Sequence, residues 1–110
     1  MSTAALLGGT LVGLTASSAS AAGDCNTYTI VVNNSAGSGK LRWNAPLRPM
    51  PYEACGSHGT FAKGSKIWYW CYEYNNYGNM WIFGRLDGTQ TKGWIYAPNV
   101  APVADVNPCY

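Results

Sequence analysis

The chain is poor in the residues that most chemistry needs. It has one histidine, His58, and five acidic residues in 110, and charged side chains of both signs make up only 11% of it. His58 lies between Ser57 and Gly59 with no carboxylate beside it in sequence, so nothing marks a nucleophile, base and orienting acid in series. Glu53 and Glu73 are acid and base candidates by composition alone, and glycoside hydrolysis requires a separation between them that the sequence does not supply. No Cys-x-x-Cys pair occurs, which removes the usual signature of a zinc or dithiol site. No stretch holds a helical hydrophobic period, so a helix bundle is excluded, and no apolar run is long enough for a stable membrane span.

Charge of either sign is scarce as well. Seven Lys and Arg against five Asp and Glu give a net charge of +2. Lys40, Arg42, Arg48, Lys63, Lys66, Arg85 and Lys92 are spread along the chain without a local basic stripe, an arrangement that suits solubility or an anionic envelope polymer better than nucleic acid. The expectation is a protein that is not an enzyme, with no cofactor, no metal and no nucleic-acid partner.

Aromatic residues are abundant: eight Tyr, five Trp and two Phe. They concentrate in 61–100, where three runs of strand-forming residues, 67–72, 81–86 and 93–96, are separated by Asn75, Asn76, Gly78 and Asn79 and then by Asp87 and Gly88. Gly, Asn and Asp accept left-handed backbone and so mark turns between antiparallel strands. The two-residue period places Ile67, Tyr69 and Cys71 on one side, assigned inward, and Trp68, Trp70 and Tyr72 on the other, where a loop, a terminal arm or a partner must cover them. An earlier strand is expected over 27–32, with Tyr28, Ile30 and Val32 on one side, followed by a polar break over 33–39. Within that break Asn33, Asn34 and Ser35 match the short glycosylation pattern, which occurs readily by accident. Leu41 and Trp43 anchor a further extended piece. Pro46, Pro49 and Pro51 make 45–59 a long excursion, and Pro98 and Pro102 leave 97–104 a short pairing segment and an arm.

The start of the chain bears on compartment. Residues 6–15 mix Leu, Val, Gly and Thr and lead to Ala19, Ser20 and Ala21, which reads as a secretory signal peptide over 1–21 with cleavage before Ala22, although no Lys or Arg precedes Leu6. Residues 22–110 then suffice for one small domain. Cys25, Cys55, Cys71 and Cys109 all follow the proposed cleavage, and in an exported chain they are expected to form two disulfides. Three pairings are possible; Cys55 with Cys71 and Cys25 with Cys109 is the preferred one, stapling the central loop to the sheet and the terminal arms to each other.

Leu41-Arg42-Trp43-Asn44-Ala45-Pro46, the 61–67 segment containing Lys63-Gly64-Ser65, the 81–85 segment and Gly93-Trp94-Ile95 resemble, in order and spacing, bacterial SH3-like domains of exported proteins. The resemblance covers 41–100. In the first element Trp43 replaces a small aliphatic residue, Asn44 occupies an Arg position and a Gly position is missing. The resemblance implies an all-β fold, a small five-stranded SH3-like barrel over 41–100, with 22–40 as a disulfide-tethered N-terminal extension and 101–110 as a C-terminal arm. It also implies binding to bacterial cell-wall peptidoglycan or its peptide.

Trp43, Tyr52, Tyr74, Tyr77 and Tyr96 fall in or near loops and strand ends, where aromatic rings with polar tips can line a ligand groove. They are the expected binding residues of a secreted, wall-associated module. The alternative is a secreted protein ligand or enzyme inhibitor presenting the 46–59 loop through Leu47, Arg48, Met50, Tyr52, Glu53 and His58.

Overall fold

A computed structural model describes Cys25 and residues 29–110. The expected signal peptide, its cleavage point and Tyr28 lie outside the described residues.

The strands, in chain order, are β1 (Ser38–Leu41), β2 (Ala45–Pro46), β3 (Thr60–Phe61), β4 (Lys66–Tyr74), β5 (Met80–Leu86), β6 (Lys92–Tyr96) and β7 (Val100–Ala101), with one 3-10 turn at Ala97–Asn99. A five-stranded sheet has the order β6-β5-β4-β1-β7, and its neighbours are antiparallel. β2 and β3 form a separate two-stranded ladder that closes the base of the 45–59 excursion, pairing Ala45 with Phe61 and Pro46 with Thr60.

The aromatic runs become β4, β5 and β6 because bulky and branched side chains fit a pleated surface covered on both sides. Gly78 and Gly88, at φ 79° and 78°, make the reversals that the turn residues predict. β6 and β7 are the two edges of the sheet, yet only the 3-10 turn separates them in the chain. Four inter-strand steps of about 4.8 Å would set the edges of a flat sheet about 19 Å apart, whereas the chain from Tyr96 to Val100 reaches at most about 14 Å. The sheet therefore coils. It does not close, since no ladder joins β6 to β7, and the expected small five-stranded barrel gives way to a coiled open sheet with a small second sheet beside it.

One inserted residue decides how β4 is used. Tyr69 pairs with Gly84 and Cys71 with Phe83, so Trp70 is a bulge residue. A bulge reverses the in-and-out alternation beyond it. Ile67 and Tyr69 face one core with Leu41, Leu47, Ile82, Ile95 and Val100, and Tyr72 packs on that same core. Cys71 instead joins a second cluster with Trp81, Trp94 and Cys109, covered by Val31, Phe83 and Tyr96. The expectation of Cys71 inward with Tyr69, and of Tyr72 opposite, is corrected by that bulge. Both faces of the sheet thus carry apolar layers: a first face built around Tyr69 and a second around Trp94.

The disulfides follow. They join Cys25 to Cys55 and Cys71 to Cys109, not the preferred Cys55–Cys71 and Cys25–Cys109. The excursion that carries Cys55 anchors in the first-face core through Ala45 and Leu47, whereas the bulge turns Cys71 to the second face. There the C-terminal arm runs beside β4: the Tyr72 N–H bonds the Asn107 carbonyl and the Cys109 N–H bonds the Tyr72 carbonyl, bringing the Cα atoms of Cys71 and Cys109 to 4.8 Å. The N-terminal extension is still disulfide-tethered, but to the excursion. Two structural disulfides place the folded chain in an oxidising, extracellular setting. Among the described residues no helix is long and apolar enough to cross a membrane.

Residues 29–32 run without a sheet ladder, and Val31 is the residue that packs, while Ile30 and Val32 are exposed. The expected strand over 27–32 is absent in its described part, because the β1 edge of β4 is already taken by 34–40: Asn34 and Gly37 bond Trp70 and Tyr69 ahead of the regular ladder.

Candidate functional site

The five aromatic residues expected to bind together are distributed over three places. Trp43 sits in the bend after β1, where the Leu41 N–H bonds the Ser65 carbonyl just before β4 begins. Its indole N–H donates 2.9 Å to the Asn99 side-chain oxygen, and the Arg42 guanidinium stands 4.7 Å above its ring. Tyr74 is at the far end of β4, about 25 Å of strand away. Tyr96 belongs to the second face, with its ring against Trp81 at 5.4 Å.

Tyr52, Tyr74 and Tyr77 do share one end. After the bulge, Tyr72 and Tyr74 lie on the first face, edge to face at 6.0 Å, and Tyr74 projects past the last core residues. Tyr77 rides on the turn between β4 and β5, and its ring meets that of Tyr52 at 5.8 Å, also edge to face. Tyr74 is 62% and Tyr77 69% exposed, whereas Tyr52 is buried. The turn is locked from within by Asn75, the one buried polar residue of the described chain. Its side-chain oxygen accepts from the Tyr77 and Asn79 N–H groups, and its amide nitrogen donates 2.8 Å to the Pro51 carbonyl. The Asn76 N–H donates to the Tyr52 hydroxyl. Tyr52 is thus a support for an exposed two-tyrosine rim, and Asn75 is the supporting residue that a reading of turn propensity did not distinguish from its neighbours.

Behind this rim, on the second face, Glu73 accepts a 3.2 Å hydrogen bond from the Tyr110 hydroxyl. Burial pushes the Glu73 carboxyl above its ordinary value, and the hydrogen bond works against that rise. The Glu73 charge holds the Tyr110 hydroxyl above its own. His58 is exposed and closes the excursion through its backbone, donating 2.7 Å to the Leu47 carbonyl; Glu53 is also exposed. Among the described residues no three His, Cys, Asp or Glu side chains gather as metal ligands.

The second face carries a feature that sequence spacing conceals. Lys40 is directly opposite Lys66, and Trp68, Arg85 and Lys92 form one row across β4, β5 and β6. Since Ile67, Gly39, Leu86 and Gly93 occupy the first face, all four cations are on the second, beside Trp68 and Trp70. The Lys66 ammonium lies 3.9 Å above the Trp68 ring and that of Lys92 lies 5.4 Å from the Trp70 ring centre. The Trp68 indole N–H donates 2.8 Å to Asp87, and the Arg85 guanidinium donates 2.9 Å to the Thr89 carbonyl. Trp68, Trp70 and Arg85 form one wall of a groove of about 340 Å³ whose other wall is the 33–37 segment, with Asn33 and Ser35. The absence of a basic stripe in the sequence is therefore corrected in the fold: residues far apart in the chain become cross-strand neighbours.

Comparison with protein-family models, with curated proteins and with solved structures gives no match to this chain.

Proposed function

We propose that this protein is a non-enzymatic, exported binding module of SH3-like kind that recognises bacterial cell-wall peptidoglycan or its peptide through the tyrosine rim. The observation that carries this reading is the pair Tyr74, at the end of β4, and Tyr77, on the adjoining turn that Asn75 holds by three hydrogen bonds; both are more than half exposed. Aromatic side chains carried on a backbone fixed before binding have less freedom to lose on contact, and their hydroxyls add hydrogen bonds to sugar or peptide groups. The two disulfides suit a chain that works outside the cell. Coiling of the five-stranded sheet supports the SH3-like part of the reading, and barrel closure is no part of it.

The 46–59 loop favours this reading over a protein ligand or inhibitor. Leu47, Pro51 and Tyr52 are buried in the protein itself, and the Arg48 guanidinium is bonded to the Gly56 carbonyl. What the loop exposes is Pro49, Glu53, Ala54, Gly56, Ser57 and His58, without the aromatic anchor that dominates most protein interfaces.

Co-sedimentation with insoluble peptidoglycan tests the proposal. Wild type is retained, and the Tyr74→Ala/Tyr77→Ala pair is retained roughly tenfold less, as expected from two aromatic contacts of about 0.5–1.5 kcal/mol each. Equal retention of both, or no retention of wild type on several chemically distinct walls, overturns it.

A further inference from the structure

We propose a second ligand site, on the groove walled by Trp68, Trp70 and Arg85, that takes an acidic glycan: a chain of sugar rings bearing carboxylate or phosphate groups. It lies on the opposite face of the sheet from the tyrosine rim and does not depend on that rim's function.

The argument begins with a cost. Like charges placed directly across two strands repel, and the second face contains two such pairs, Lys40 with Lys66 and Arg85 with Lys92. The carboxylate on this row, that of Asp87, is already engaged by the Trp68 indole N–H. Four of the seven Lys and Arg residues thus converge on one face of a chain whose net charge is only +2. A bound anion turns this repulsion into attraction.

The aromatic residues narrow the class. Trp68 and Trp70 are half-buried and line the groove between the cations, so a ligand that reaches Arg85 must pass along indole surface. Sugar rings present apolar C–H faces to such surfaces while their hydroxyls find polar partners, here offered by the Asn33 side chain on the facing wall. The groove, about 340 Å³, is at the small end of the roughly 300–1,000 Å³ typical of ligand clefts. It opens to solvent, and Lys66 and Lys92, beside its two indoles, extend the attraction beyond it. Nucleic acid offers anions and rings as well, but the wall facing the two indoles is the polar 33–37 segment and carries no second aromatic ring for a base to stack on, which suits sugar hydroxyls better than bases.

The test uses the whole disulfide-bonded protein, titrated with polygalacturonate, neutral dextran, inorganic polyphosphate and single-stranded DNA while tryptophan fluorescence is followed over a salt series. Polygalacturonate is expected to bind and perturb the fluorescence, more weakly as salt rises, and neutral dextran to leave it unchanged. Arg85→Gln/Lys92→Gln lowers polygalacturonate affinity at least tenfold, Trp70→Ala lowers it while leaving polyphosphate binding as it was, and Tyr74→Ala/Tyr77→Ala has no effect. Lys40→Gln lowers affinity with an equal or higher melting temperature, a combination that a purely structural lysine does not give. Equal binding of dextran and polygalacturonate, equal or tighter binding of polyphosphate or single-stranded DNA, or unchanged affinity in the Arg85→Gln/Lys92→Gln protein overturns the proposal. Loss of wall retention without loss of polygalacturonate binding, or the reverse, separates this site from the tyrosine rim.

Discussion

The Tyr69 hydroxyl donates a 2.7 Å hydrogen bond to the Pro102 carbonyl, tying the middle of β4 to the residue after β7 across the first-face core. Gly39 makes room for it, since a Cβ there would overlap the hydroxyl. Tyr69→Phe is expected to cost about 1 kcal/mol, the usual net value of such a bond. Gly39→Ala costs more, because the Tyr69 side chain must move. In the double variant the missing hydroxyl relieves part of the overlap, so the two costs add to less than their sum; strict additivity in urea denaturation would refute the coupling.

The same bond has a pH signature. Burial pushes the Tyr69 hydroxyl up to about 12 from an ordinary value of 10. The folded state therefore keeps a proton that the unfolded chain releases, so this stabilisation is complete below pH 10 and falls as pH rises toward 12. Stability measured across that window should decline less steeply in Tyr69→Phe, and ultraviolet titration of the folded wild type should show a late tyrosine that the variant lacks.

Asn75→Ala removes one acceptor shared by two N–H groups and one donor to Pro51, in a buried site. At about 1 kcal/mol per bond the loss is roughly 2–3 kcal/mol. Wall retention should fall in the variant even at temperatures where circular dichroism shows the sheet intact, because Tyr77 loses its fixed position.

Peptide mapping of the unreduced protein should recover Cys25 linked to Cys55 and Cys71 linked to Cys109. The bridges span 30 and 38 residues, so loop closure assigns each a similar upper value of about 4 kcal/mol. Removing Cys71–Cys109 is expected to cost more, since it also frees the arm that covers Trp81 and Trp94. Urea midpoints of Cys71→Ala/Cys109→Ala and Cys25→Ala/Cys55→Ala decide this; a larger loss in the second would contradict it.

Much of the sheet was legible in the chain. The runs 67–72, 81–86 and 93–96 lie within β4, β5 and β6, and the turns at 75–79 and at Asp87 and Gly88 fall between them. The site was less legible. Tyr74 and Tyr77 emerge at the surface, but Tyr52 supports them from beneath, Tyr96 belongs to the other face and Trp43 to the other end. Proximity of loops in sequence says little about which end of a sheet they share.

Composition and local pattern were enough to determine an all-β, disulfide-stapled domain, because turn residues and bulky runs act over a few neighbouring positions. Which face Cys71 meets, which cysteines bond and which lysines stand opposite one another depended on tertiary structure. A single bulge at Trp70 reverses every side chain beyond it, and cross-strand neighbours are set by register between segments far apart in the chain, so neither could be read from spacing along one strand.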